Sequence, residues 1–336
     1  MKKYNVAILG ATGCVGREML KVLAEHAFPV GELRLLASAR SAGKKVTYCG
    51  KEYTVEEAGA ASFAGMDLVL GAASNALAKQ LAPEIVRAGA VFVDNSSAFR
   101  MENDVPLVVP EINPDDVARH SGIIANPNCS TIIALMAVAP IARISPIEAM
   151  TACTYQAVSG AGQGGMEQLE AEISALSEGK QAPLATFPCQ IAYNCIPHIG
   201  SRLENGFTTE EMKMQNEGRK ILHLPQLRVN CTCVRVPVMR SHSIAITLRT
   251  KESVSVEAAA QAIASAPGCV LASELNGRDY PTPLDTTDQD LVFVGRLRRD
   301  LIDEERGLSL WCCGDQIRKG AATNAVQIAE IALGIH

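Results

Sequence analysis

At 336 residues the chain is longer than one hydrophobic core normally supports, so two domains are expected. A net charge of −5 without any long basic run excludes nucleic acid and anionic membrane as main partners and leaves a small-molecule substrate. The 11 cysteines show no Cys-x-x-Cys pair, no regular spacing and no cluster of three or four ligands, so neither a disulfide framework nor a metal is predicted.

The first apolar run, Val6-Ala7-Ile8-Leu9, is too short for a secretion signal before glycines interrupt it, and it reads as a strand. It ends in Gly10-Ala11-Thr12-Gly13-Cys14-Val15-Gly16, and a helical pattern of Val15, Met19, Leu20, Val22 and Leu23 follows at once. Strand, glycine turn and helix in this order form a variant of the dinucleotide fingerprint. The glycines permit a tight turn and let backbone N–H groups approach a pyrophosphate. The second strand, Leu33 to Ala37, opens into Ser38-Ala39-Arg40-Ser41-Ala42-Gly43-Lys44-Lys45. An NAD site would present Asp or Glu there to the ribose 2′-hydroxyl. Hydroxyls and cations suit the extra 2′-phosphate instead, so Arg40 and Ser41 predict NADP.

Strands over Asp67–Gly71, Ala90–Asp94 and Gly122–Ala125 continue a doubly wound sheet, in which ligands collect beyond the carboxyl ends of the strands. Arg100 follows one such end, and the turn Asn126-Pro127-Asn128-Cys129-Ser130-Thr131 follows another. That turn runs into the apolar segment Ile132–Ala139, which puts the Cys129 thiol at the first turn of a buried helix. Backbone N–H groups at a helix start lack intrahelical acceptors and carry partial positive charge, so they favour a thiolate. Cys129 is therefore the candidate nucleophile. No stretch reaches the roughly 20 apolar residues that span a membrane, and a cytoplasmic protein is expected.

After Arg143, longer alternating stretches predict a more antiparallel sheet. Ile147–Gln156 leads to the glycine-rich segment Ser159–Gly165, and a helix follows from about Met166 to Leu176. Within Val229–Val238, Pro237 marks the end or the edge of a strand. In Glu210-Glu211-Met212-Lys213 the i, i+3 spacing puts Glu210 and Lys213 on one helix face. His242 precedes the strand Ile244–Leu248, and Lys319–Leu333 reads as a closing helix. A thiol at a helix start, a nicotinamide cofactor and a histidine between two strands point to aldehyde oxidation or its reverse, through a thioester on Cys129 with His242 as acid/base.

Five motifs in order, Gly10–Gly16, Asn95-Ser96-Ser97-Ala98-Phe99-Arg100, Asn126–Thr131, Tyr155–Gly162 and Arg235–Ser243, together resemble aspartate-semialdehyde dehydrogenase over nearly the whole chain. The resemblance implies an α/β protein with a Rossmann-type dinucleotide-binding domain over 1–128, joined by the C-terminal helix 314–336. An α+β catalytic and dimerisation domain with a largely antiparallel sheet would occupy 129–313. The implied reaction is NADPH-dependent reductive dephosphorylation of aspartyl phosphate to aspartate semialdehyde, on the way to lysine, threonine and methionine, in a cytoplasmic homodimer. Cys129 would carry the thioacyl group, His242 would be the acid/base and Gln156 would orient the thioester. Arg235 would pair with the substrate carboxylate and Glu210 with its ammonium, while Arg100, Asn128 and Lys213 would hold phosphate. Gly10, Thr12, Gly13, Cys14, Val15 and Gly16 would line the pyrophosphate, and Arg40 and Ser41 the 2′-phosphate. Ser159 and Gly160 would face the nicotinamide, whose carboxamide Gln316 would hydrogen-bond. Two positions depart from the family pattern: Ser241 stands where many members have Gly, and Gln316 where they have Asn.

N-acetyl-glutamyl-phosphate reductase uses the same thiol logic, but with Gly and an aromatic around its cysteine, and its acylated substrate offers Glu210 no ammonium. Glyceraldehyde-3-phosphate dehydrogenase is disfavoured by Ser38-Ala39-Arg40-Ser41 and by the Asn-Pro-Asn lead-in to the thiol. A non-catalytic NADP-sensing regulator of the same fold would bind nucleotide without needing Cys129.

Overall fold

Short apolar runs separated by helical stretches build parallel sheets, because each parallel crossover needs a long connection. The computed structural model describes residues 2–181 and 183–335; residues 1 and 336, the outer limits of the predicted first domain, lie outside the described residues, as does residue 182. The first half of the chain forms β1 (Tyr4–Leu9), α1 (Cys14–Glu25), β2 (Val30–Ala37), the hairpin β3 (Lys45–Tyr48) and β4 (Lys51–Thr54), and β5 (Glu56–Glu57). It continues with β6 (Leu68–Gly71), α2 (Asn75–Arg87), β7 (Val91–Asp94) and β8 (Ile123–Ala125). A six-stranded sheet runs in the order β5-β2-β1-β6-β7-β8, and its pairs are parallel. Val6, Ala7, Ile8 and Leu9 are all fully buried, as expected for a strand covered on both faces. The chain leaves β1 toward β2 on one side and later returns with β6 on the other, which makes the end of β1 the switch point where such sheets bind ligands.

The second half holds α3 (Cys129–Ile144), β9 (Ile147–Gln156), α4 (Gln163–Ser177), α5 (Thr209–Ile221), β10 (Arg228–Arg235), β11 (His242–Thr250) and α6 (Val256–Ala264). β12 (Cys269–Leu271), the short α7 (Pro283–Thr286), β13 (Val292–Arg299) and β14 (Gly307–Gly314) complete it. Its sheet has the order β10-β9-β11-β14-β13-β12. The central pairs are antiparallel, while β10 joins β9 and β12 joins β13 in parallel. Residues Ser130 through Ile141 of α3 are all buried, which is why its sequence lacks the one-sided stripe of a surface helix. α3 packs on β9, β11, β13 and β14 and against α5 and α6.

By contacts, the chain divides into a first unit up to Asn128 and from Ala321 onward, and a second unit, Cys129–Gly320. α8 (Thr323–Leu333) belongs to the first: Val326, Ile328 and Ala329 share one core with Val6, Ile8, Met19 and Leu23. The return is expected at 314 and falls at Ala321. The segment after β14 stays with the second unit because Asp315 Oδ2 accepts from Asp288 N–H at 2.7 Å and pairs with Arg240 Nε at 2.6 Å. The predicted closing helix is also not continuous, since a π-turn at Arg318–Ala322 precedes α8.

Candidate active site

In the first unit the glycine turn is forced by close approach. Gly10 has φ +91°, and a β-carbon on it would lie 2.3 Å from Ala72 O; one on Gly16 would lie 2.3 Å from Gly10 O. No other residue fits either place. Gly13 precedes α1 without a side-chain cap, and Thr12, Cys14 and Val15 flank it, so the helix start offers N–H groups and positive dipole to an anion. This narrow cradle fits a dinucleotide pyrophosphate. Arg40 and Ser41 lie in a short 3-10 turn just beyond β2, with Arg40 exposed.

Arg100 is buried, and two carbonyls aim its guanidinium: Nε donates to Asn126 O at 2.9 Å and Nη2 to Asn95 O at 2.7 Å. Behind them Asn126 Nδ2 donates to Asn95 Oδ1, and Asn324 Nδ2 donates to Asn126 Oδ1, both at 2.7 Å. Asn324, on α8, was not anticipated from the sequence. Asn128 is buried and closes the first stretch of this unit.

The second unit begins at Cys129, the first residue of α3. Its Sγ lies 3.5 Å from His242 Nε2. Gly320 in the π-turn lets the backbone pass, because a β-carbon there would be 2.9 Å from Cys129 Cβ. His242 is fully buried at the start of β11, and its Nδ1 accepts a hydrogen bond from Ala157 N–H at 3.1 Å. Burial, and secondarily the charge of Arg235, push its pKa down to about 3, with Glu210 acting in the opposite direction.

Arg235 ends β10 in register with Gln156 at the end of β9. Its Nη1 donates to Ala157 O at 2.7 Å, so the amide N–H and the carbonyl of Ala157 position His242 and Arg235 respectively. Burial lowers the Arg235 pKa, while Cys129 and Glu210 oppose that shift. Gly160 is required here: a β-carbon would stand 2.7 Å from Arg235 Nη1 and 3.2 Å from His242 Cε1. Gln156 Nε2 donates to Glu210 Oε1 at 3.2 Å, and Lys213 Nζ donates to Glu210 Oε2 at 2.7 Å. A capping box of Thr208 and Glu211 starts α5, and Glu211 Oε1 accepts from Cys233 N–H at 3.1 Å, which ties Glu210 to the strand carrying Arg235.

The two departures from the family pattern prove to be linked. Ser241 has φ +74°, a conformation that favours glycine and costs a side chain roughly 1–2 kcal/mol. Its N–H donates to Gln316 Oε1 at 2.9 Å, while Gln316 Nε2 bonds Ser159 Oγ. Gln316 thus braces the strained corner before His242.

A second device is built on α4. Gln168 Oε1, on α4, accepts from the N–H groups of Ala185, Thr186 and Phe187 at 3.2, 2.5 and 2.8 Å. Buried Glu172 accepts from Gln168 Nε2 at 2.7 Å and from the N–H groups of Ile191 and Ala192 at 2.8 and 2.7 Å. The strap so pinned carries Phe187 to a position with its ring centre 5.9 Å from Arg235 Cζ. Gly165 makes room, since a β-carbon there would lie 3.2 Å from Phe187 Cζ.

Comparison with known proteins agrees with both halves. The family described as "Semialdehyde dehydrogenase, NAD binding domain" matches residues 5–120, and "Semialdehyde dehydrogenase, dimerisation domain" matches residues 138–319. An aspartate-semialdehyde dehydrogenase of Aquifex aeolicus is 50% identical over 332 residues, covering 98% of this chain and 97% of its own. A crystal structure of aspartate semialdehyde dehydrogenase II from Vibrio cholerae, complexed with ASA, is 44% identical with TM-score 0.96 over 99% of both chains. One from Candida albicans with NADP is 27% identical with TM-score 0.77 over 100% of both. With two domain families matched in order and relatives this similar over nearly their full length, the chain belongs to the aspartate-semialdehyde dehydrogenase family.

Proposed function

We propose that the protein catalyses the NADPH-dependent conversion of aspartyl phosphate to aspartate semialdehyde and phosphate, and the reverse, in the synthesis of lysine, threonine and methionine. The observation that carries this reading is the Cys129 thiol at the start of α3, 3.5 Å from a buried histidine. Cys129 Sγ attacks the acyl carbon, the bond from that carbon to the phosphate oxygen breaks, and a thioester remains on the enzyme. Bound at the glycine turn, with Arg40 and Ser41 at its 2′-phosphate, NADPH supplies the hydride that reduces the thioester. Arg235 takes the substrate carboxylate in a two-pronged hydrogen bond, Glu210 takes its ammonium, and Gln156 stands beside the thioester. Arg100, Asn128 and Lys213 serve the phosphate.

The test is phosphate-dependent NADP reduction with aspartate semialdehyde and, separately, N-acetylglutamate semialdehyde. Turnover of the first alone is expected. Turnover of the second alone would move the protein to the acylated-substrate reductases, and turnover of neither, with nucleotide still bound, would favour a sensor.

Phe187 adds a sharper expectation. An aromatic face over a desolvated guanidinium contributes on the order of 1–2 kcal/mol. Phe187→Leu is expected to raise KM for aspartate semialdehyde roughly 5- to 20-fold with kcat nearly unchanged, and Phe187→Tyr to keep the parent KM; steady-state kinetics on the three proteins decides it.

We also propose a homodimer through the sheet face that the helices leave open. Thr151, Tyr155, Arg228, Asn230 and Thr232 are exposed on β9 and β10, and Tyr155 packs on Trp311 with ring centres 5.5 Å apart. No helix among the described residues is long and apolar enough to cross a membrane, in keeping with a cytoplasmic enzyme.

A further inference from the structure

We propose that Gln168 and Glu172 on α4 are positioning residues for substrate recognition: together they fix the strap from Ala185 to Ile196 so that Phe187 lies on the guanidinium that reads the substrate carboxylate. This rests on the carboxylate role proposed for Arg235. Between residues 185 and 195 the strap forms no helix or strand, yet Ile191 and Ala192, with Ile196 beyond them, are buried in a small apolar cluster with Val158 and Leu169. Apolar burial is non-directional, so it holds such a segment down without choosing one seating. Backbone N–H groups taken out of water do need particular acceptors, and the pair supplies them. Gln168 Oε1 takes those of Ala185, Thr186 and Phe187, and Glu172 Oε2 takes those of Ile191 and Ala192.

At its far end the strap returns to Arg235 itself. Ile196 N–H donates to Arg235 O at 2.9 Å and Arg235 N–H donates to Ile196 O at 2.8 Å, an antiparallel bridge. The backbone of Arg235 is thus held by one end of the strap, and its side chain is faced by Phe187 from the other. A shift of the strap moves the ring and leaves Cys129, which stands on α3, in place.

The pair also has a polarity. An amide presents oxygen at one end and NH2 at the other, while a carboxylate accepts at both. Three N–H groups demand the Gln168 oxygen, which turns Nε2 toward Glu172 Oε1; the other carboxylate oxygen then serves Ile191 and Ala192. With Glu172→Gln two amides stand in a row between two sets of N–H groups. Whichever way they turn, one NH2 meets another donor. Transposing the pair, Gln168→Glu with Glu172→Gln, restores the match. The carboxylate at 168 accepts from residues 185 to 187 and from the amide at 172, whose oxygen accepts from Ile191 and Ala192.

Glu172→Gln is expected to raise KM for aspartate semialdehyde roughly 5- to 20-fold, the loss expected when the aromatic face leaves the guanidinium, with kcat nearly unchanged. Its turnover of 3-aminopropanal, the analogue without the carboxylate, should change little. The transposed double variant should return KM to within about twofold of the parent, and in a Phe187→Leu background Glu172→Gln should add less than about twofold, because the ring through which it acts is gone. Amide hydrogen exchange at residues 185–187 and 191–192 reads the strap without substrate: slow in the parent and the transposed variant, fast in Glu172→Gln. Unchanged KM in Glu172→Gln, equal losses on both aldehydes, full additivity with Phe187→Leu, failure of the transposition to restore KM, or equal protection in all three proteins would each overturn the proposal. If Glu172→Gln does not fold, the transposed variant decides: folded with the parental KM it supports the proposal, and unfolded or with a raised KM it overturns it. Absence of turnover by the parent would instead refute the proposed function, with hydrogen exchange still deciding whether the pair fixes the strap.

Discussion

Replacing Cys129 by serine is expected to lower kcat by roughly 10^4-fold or more while leaving NADP affinity within about twofold of the parent. The alcohol has nearly the shape of the thiol, and Gly320 leaves it the same space, so folding and the 3.5 Å approach to His242 should persist. What disappears is the anion: the start of a helix favours a thiolate but not an alkoxide, whose parent alcohol is a far weaker acid than a thiol. Nucleotide binding depends on the turn from Gly10 to Gly16 in the first unit, which the substitution does not touch. Pre-steady-state absorbance at the nicotinamide band reads the loss, and titration of nucleotide fluorescence reads the affinity. Turnover above about 1% of the parent would mean that another group attacks the acyl carbon.

The nucleotide-binding half was open to reading because its determinants are local. Gly10 and Gly16 mark places where a β-carbon meets backbone, and such places announce themselves as glycine at a fixed distance after an apolar strand. Cys129 was legible for the same reason, as a polar turn entering an apolar run. The rest of the site is built by tertiary approach. Ala157 acts through its N–H and carbonyl, which every residue but proline carries, so nothing in its identity reveals the role. Gln168 and Glu172 look like any polar pair on a helix, and only folding brings backbone N–H groups of residues 185 to 192 onto them. Gly164 and Gly165 were a trace of that strap, since β-carbons there would press on Thr186 and Phe187. Gln316 is expected by resemblance to meet the cofactor, and its contact with Ser241 N–H is made only by the fold, with no local pattern to announce it. The parallel pairing of β10 with β9 was equally hidden, because alternation along a strand tells which face is buried and not which way the neighbour runs.

Arg235→Lys should lower kcat/KM for aspartate semialdehyde by roughly 10^2- to 10^3-fold, or about 3–4 kcal/mol, mostly through KM. A planar fork presents two parallel N–H groups to a carboxylate while a further one stays on Ala157 O; an ammonium on a flexible stem cannot reproduce that geometry. Burial adds a second effect that distinguishes this explanation from simple misfolding. It already pulls the Arg235 pKa down, yet arginine stays charged across the working range, whereas lysine starts from a lower value and yields more readily to desolvation. The lysine variant should therefore bind better as pH falls and its ammonium fills, against a flat profile for the parent over the same interval. The role itself is tested with 3-aminopropanal, which keeps the aldehyde and the amine but lacks the carboxylate. If Arg235 reads the carboxylate, the parent prefers aspartate semialdehyde strongly and Arg235→Ala loses most of that preference, its activity on 3-aminopropanal changing little. Equal losses on both aldehydes would mean that Arg235 supports His242 through Ala157 instead of holding the substrate.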